Sequence, residues 1–119
     1  MATITPTLTI TSTDVLSDNI NLSLTTALTV VEPAKIARVS VLSSAPTVLQ
    51  AASTGTFYLY VKNIGTNSRF VDIRIADDSV FASLAVGEFC FIPMKVDVGI
   101  ELLALVGTEV VEYAYFKKS

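Results

Sequence analysis

The chain has 119 residues, of which 51% are hydrophobic and only 16% charged, with a net charge of −3. That length fits one domain, and an acidic, charge-poor composition excludes a nucleic-acid binder, which needs a basic excess to displace counterions from phosphates. His is absent and Cys90 is the single cysteine. A Ser-His-Asp or Cys-His relay, a His-ligated zinc site, a thiolate cage and an internal disulfide are therefore excluded as well.

Residue usage points to sheet. Fifteen Val, nine Ile and fourteen Thr are β-branched, and such side chains suit a pleated surface. Period-two alternation recurs along the chain without a competing helical period. Residues 3–11 alternate hydroxyl and aliphatic side chains around Pro6, which predicts an edge strand or extended N-terminal arm over residues 1–18. Met1-Ala2-Thr3-Ile4 has neither a positive start nor an apolar stretch, so no secretion signal is read there. The body, expected over 19–119, starts with an alternating run from Asn19 to Leu24 that Glu32-Pro33 is expected to end. A helical turn from Pro33 is compatible with proline at a first helical position. Lys35–Leu42 alternates again, with Ala37, Val39 and Val41 on one face.

The second half holds the sharpest alternation. Thr56–Lys62 places Phe57, Leu59 and Val61 on one side and Tyr58, Tyr60 and Lys62 on the other. Asn63–Ser68 supplies turn chemistry, and Val71, Ile73 and Ile75 face inward beyond it, which reads as a hairpin. A second hairpin is expected to close the chain, from Ile100–Val106 through Gly107-Thr108 to Val110–Phe116. About eight short strands with turns every 8–12 residues predict an all-β, antiparallel sandwich or barrel, jelly-roll-like or Ig-like. The longest apolar runs fall far short of the roughly 20 residues that span a bilayer, so no membrane partner is expected.

Few residues suggest chemistry. Asp77-Asp78 is the nearest approach to paired carboxylates, but neighbours on a strand point to opposite faces. Cys90 sits in Phe89-Cys90-Phe91-Ile92, where a thiol acts as a small hydrophobe. No glycine-rich phosphate loop is present, and neither cofactor nor metal is expected. Two tyrosine pairs, Tyr58 with Tyr60 and Tyr113 with Tyr115, would form one four-phenol patch if their strands are neighbours. Such a patch stacks on sugar rings or anchors a protein interface; its alternative is cross-strand packing in the core.

Three phrases occur in order: Phe57-Tyr58-Leu59-Tyr60-Val61-Lys62-Asn63-Ile64-Gly65-Thr66, Leu84-Ala85-Val86-Gly87-Glu88-Phe89, and Val111-Glu112-Tyr113-Ala114-Tyr115-Phe116. Together they resemble the small all-β structural proteins of tailed-bacteriophage virions, over roughly the second half of the chain. The resemblance implies a non-enzymatic decoration or cement protein, a homotrimer seated on the major capsid protein at capsomer junctions and made in the host cytoplasm. Thr3, Ile4, Thr5, Leu8 and Ile10 are then expected to tether the arm to a neighbour or to the shell by adding a strand. The alternative within the virion is a tail, fibre or host-attachment component that binds glycans through the tyrosines. A bacterial adhesin or pilus-like sandwich would instead call for an export signal.

Overall fold

The computed structural model describes residues 2–14, 17, 19–50, 55–75, 79–95 and 99–119. Eleven strands lie in these residues: β1 Ala2–Ile4, β2 Thr7–Ser12, β3 Ile20–Thr25, β4 Leu28–Leu42, β5 Thr47–Gln50, β6 Thr56–Asn63, β7 Val71–Ile75, β8 Val80–Leu84, β9 Phe89–Lys95, β10 Ile100–Ala104 and β11 Thr108–Lys118. No helix occurs among them. A five-stranded sheet has the order β1-β4-β11-β6-β9, a four-stranded sheet the order β5-β10-β7-β8, and β2 pairs with β3 separately; every pairing is antiparallel.

The last eight strands pair by nesting. β4 lies beside β11, β5 beside β10, β6 beside β9 and β7 beside β8. A long antiparallel ribbon rolled up in this way is a jelly roll, so the body is an all-β sandwich as its alternation predicts. The surplus over about eight strands comes from β1–β3.

Alternation decides which faces meet. In β6 the side chains of Phe57, Leu59 and Val61 are buried while those between them are half-buried. Facing them from the other sheet are Val71, Ile73, Leu84, Ile100 and Leu102, and Val41, Val111 and Tyr113 complete the core. Burying a side chain of this size contributes about 1.5–3 kcal/mol, and this layer is the main source of stability.

Both predicted hairpins are overturned. β6 pairs with β11 and β9, whereas β7 pairs with β10 and β8, so residues 64–70 arch between the sheets. β10 and β11 likewise belong to different sheets, joined across Leu105-Val106-Gly107. Alternation cannot tell a hairpin from an arch, because both leave the two apolar faces inward. The arch wins here because a buried carboxylate, described below, holds the 64–70 connection.

β4 also runs straight through Glu32-Pro33, with neither a stop nor a helical turn. Its partner Phe116 faces Ala34 while Lys117 faces Val31, so residues 32–33 form a bulge. A bulge needs no ladder N–H from Pro33.

The N-terminal segment differs from a single arm. β1 adds to the edge of the large sheet at the beginning of β4. β2 then pairs with β3, a segment expected to open the body, in a two-stranded ribbon. The Cα radius of gyration is 15.6 Å, against about 13–14 Å for a compact chain of this length. A ribbon standing away from the sandwich accounts for the excess.

Candidate interaction surfaces

Four connections, β4–β5, β6–β7, β8–β9 and β10–β11, gather at the end of the sandwich where β4 finishes. Two buried polar residues fix them. Asn63 donates from Nδ2 to the carbonyls of Arg69 (2.8 Å) and Leu84 (3.0 Å), and its Oδ1 accepts from Gly65 N (3.0 Å). Glu109, fully buried, accepts main-chain N–H groups from Thr66, Asn67, Arg69 and Val110 at 3.1–3.3 Å. Main-chain donors thus meet the carboxylate, which a buried charge requires. Gly65 is required by this arrangement, since a Cβ there would overlap the Glu109 carboxylate.

Further bonds lock the neighbouring turns. Ser43 N donates to Gly107 O (2.8 Å), Leu105 N to Phe70 O (3.1 Å), Gly87 N to Asn63 O (2.8 Å) and Arg69 Nη1 to Val106 O (2.9 Å). On this frame Leu42, Phe70, Val86, Leu105 and Val106 are all exposed, Val106 at 62%. The result is a pre-organised end on which these apolar side chains stand among exposed polar ones such as Ser43, Thr66, Asn67 and Thr108.

A second surface is the outer face of the five-stranded sheet. Register places Ile36, Ala114, Tyr60 and Phe91 in one row across β4, β11, β6 and β9, with Phe116 and Tyr58 in the next. Tyr58 stacks on Phe91 with centroids 5.9 Å apart, and Lys118 Nζ lies 4.9 Å from the Tyr58 ring. Tyr60 donates its hydroxyl to Glu112 Oε1 (3.1 Å), and Glu112 Oε2 accepts from Arg38 Nε (3.3 Å). Desolvation first, and then the Glu112 carboxylate, hold the Tyr60 phenol above its ordinary value. Ile4, Thr5 and Pro6 wall a hollow of about 300 Å³ over Ile36, Tyr60, Phe91 and Phe116.

The third surface is the β2–β3 ribbon. Leu8 faces Leu24 and Ile10 faces Leu22, so four aliphatic side chains share one side, while Thr7, Thr9, Thr11, Asn21, Ser23 and Thr25 occupy the other. Leu22 is 59% and Leu24 61% exposed.

The residues singled out from sequence thus divide. Thr3 and Ile4 lie in β1 and Thr5 follows it, whereas Leu8 and Ile10 belong to the ribbon. The four tyrosines do not form one patch. β11 does lie beside β6, but Tyr60 faces Ala114 and Tyr58 faces Phe116, so the two pairs occupy opposite faces. Tyr113 is buried in the core and Tyr115 packs against it, edge-on to Phe57 at 6.0 Å. The exposed Phe70, Leu105 and Val106 were missed because a continuous apolar run reads as buried strand.

Asp77 and Asp78 lie outside the described residues. Burial raises the Cys90 thiol above its ordinary value, with a smaller opposing effect from the Val61 main chain, so thiolate chemistry is disfavoured there. Among the described residues no group of three or more His, Cys, Asp or Glu side chains is placed to hold a metal ion. No protein-family model matches the chain, and no curated protein matches it in sequence.

Proposed function

We propose that this chain is a non-enzymatic structural protein of a bacteriophage virion, a decoration protein that sits on the capsid surface through the apolar end of its sandwich. The observation that carries the reading is that end itself. Leu42, Phe70, Val86, Leu105 and Val106 are exposed together on turns cross-linked by Glu109, Asn63 and Arg69. A rigid apolar patch loses little entropy on docking, and modest contacts repeated over a symmetric shell become tight through effective concentration. The jelly roll is common to viral shell proteins, lectins and cupins, so it supports the reading by analogy alone. Phrases around Tyr60, Gly87 and Tyr113 add the resemblance to virion proteins.

The test is to count and locate copies on particles of the phage that encodes the chain, by quantitative mass spectrometry and antibody labelling. Hundreds of copies on the head support decoration. A dozen or fewer, at the tail or neck, overturn it. Within the decoration reading, Phe70→Asp with Val106→Asp is expected to abolish head occupancy while the body stays folded.

The half-exposed Tyr58 and Tyr60 beside Phe91 favour a second reading, a glycan-binding tail or fibre component. Oligosaccharide-induced NMR shifts confined to these rings would support it.

A further inference from the structure

We propose that the β2–β3 ribbon is the element by which copies of this chain join, its Leu8-Ile10-Leu22-Leu24 side seated on the outer sheet face of the next copy around Ile36, Tyr60, Phe91 and Phe116. The inference stands independently of the capsid reading.

Charge is the first argument. Neither Thr7–Ser12 nor Ile20–Thr25 contains a charged residue. The receiving row of Ile36, Ala114, Tyr60 and Phe91 is equally uncharged; Arg38 pairs with Glu112 in the neighbouring row, and Lys62 and Lys118 stand at the margins of the same face. Contact centred on that row buries no charge, because the long lysine stems let both ammonium groups stay in water at the rim.

Dimensions are the second. Six-residue strands extend about 20 Å, and four strands at about 4.8 Å spacing present a face some 15–20 Å wide. The ribbon's four aliphatic side chains leave roughly 350 Å² of apolar surface uncovered, comparable to the largest patch a monomer normally carries. The outer face offers a similar area, with Ile36 72% exposed at its edge. Seating one on the other removes about 700 Å² of apolar surface, and the hydroxyl rims bring the total to about 1,000 Å², the lower end for a specific interface.

The third argument is that a chain cannot satisfy itself. Two-residue joints lead into the ribbon, and Thr26 N donates across them to Pro6 O (3.4 Å). Thr5 and Pro6 already form a wall of the hollow on the chain's own face. The aliphatic side consequently stays uncovered, and the matching surface is available on a second copy. Ribbon and face are different surfaces, so copies can join either head-to-tail around a closed ring or by exchanging ribbons about a two-fold axis.

Light scattering on the purified chain is expected to give a mass of two or more times 12.7 kDa, unchanged or strengthened at high salt because the contact is apolar at its centre. Leu22→Asp with Leu24→Asp removes the ribbon's contact, and Ile36→Asp with Phe91→Asp removes the face. Each variant is expected to be a folded monomer, checked by circular dichroism. Mixed together, they retain one ribbon and one intact face between them, and are expected to form a heterodimer that grows no further. A monomeric wild type overturns the proposal and leaves the ribbon to a different partner. So does a ribbon variant whose mass is unchanged, or a mixture of folded variants that stays monomeric.

Discussion

Gly65 and Glu109 allow the organisation of the loop end to be tested by a double-mutant cycle. Glu109→Ala leaves four main-chain N–H groups, those of Thr66, Asn67, Arg69 and Val110, without their acceptor. A fully buried orphan costs about 1–3 kcal/mol, but these donors are part-buried and water recovers some of the loss. The net expectation, with the cavity left behind, is a loss of about 3–4 kcal/mol. Gly65→Ala acts on the same carboxylate. Gly65 is not in the left-handed region, so alanine meets no left-handed strain, and the three atoms nearest its Cβ all belong to the Glu109 side chain. Expelling the carboxylate breaks the same bonds, so this substitution alone is expected to cost about 2–3 kcal/mol. In the Glu109→Ala background the space is empty. Alanine at position 65 then costs almost nothing, or gains a few tenths by restricting the unfolded chain. The predicted coupling is thus about 2–3 kcal/mol, far above the scatter of independent sites. Urea unfolding followed by circular dichroism measures all four corners, and each kcal/mol corresponds to roughly 4 °C in Tm at this size. An additive cycle would refute the account of Gly65 as the glycine that Glu109 requires.

Other substitutions probe independent features. Arg74 pairs with buried Glu101 at 2.7 Å, so Arg74→Ala strands a charge and is expected to cost about 3–5 kcal/mol; Arg74→Met with Glu101→Leu recovers most of it in thermal melts. The Tyr60 phenol is held up by burial and Glu112, so its absorbance step near 295 nm should fall above pH 10, vanish in Tyr60→Phe and move down in Glu112→Gln. Because the folded value exceeds the unfolded one, this contribution to stability is complete below pH 10 and is lost as pH rises through the folded value. Unfolding midpoints measured on either side of pH 10 should therefore show a weaker decline in Tyr60→Phe. The raised Cys90 thiol is expected to react slowly with a disulfide reagent at pH 8 and fast in denaturant; equal rates would place it at an open surface.

Alternation made the inward faces legible: Phe57, Leu59, Val61, Val71 and Ile73 are all buried. Strand partners were not legible, and the reason is physical. A seven-residue connection rich in Asn, Gly and Ser can close a hairpin or cross the sandwich with the same side-chain pattern. The choice between them lies in Glu109, 40 to 43 positions from the loop N–H groups it holds. Pro33 misled in a similar way. Its missing N–H predicts an end to a strand, but a bulge removes the need for that donor. The tyrosines show the limit for sites. Parity along each strand was readable, yet the relative parity of β6 and β11 depends on register, which puts Tyr60 against Ala114 rather than against a phenol.

Where the few charges lie gives the hydropathy its meaning. Glu109 is consumed in holding a loop, Arg74 and Glu101 in a pair inside the small sheet, and Arg38 and Glu112 in a pair on the large one. None lies on the ribbon strands, where Leu8, Ile10, Leu22 and Leu24 stand uncovered. The core does not account for this distribution, because none of the four ribbon side chains belongs to its cluster. The mean hydropathy of +0.61 therefore has two sources, a packed jelly-roll core and apolar surfaces at the ribbon and the loop end. Patches of that kind are unfavourable for a solitary protein in water and useful to one that is covered by neighbours. The two proposals divide these surfaces between them, the loop end for a surface the chain sits on and the ribbon for its own copies.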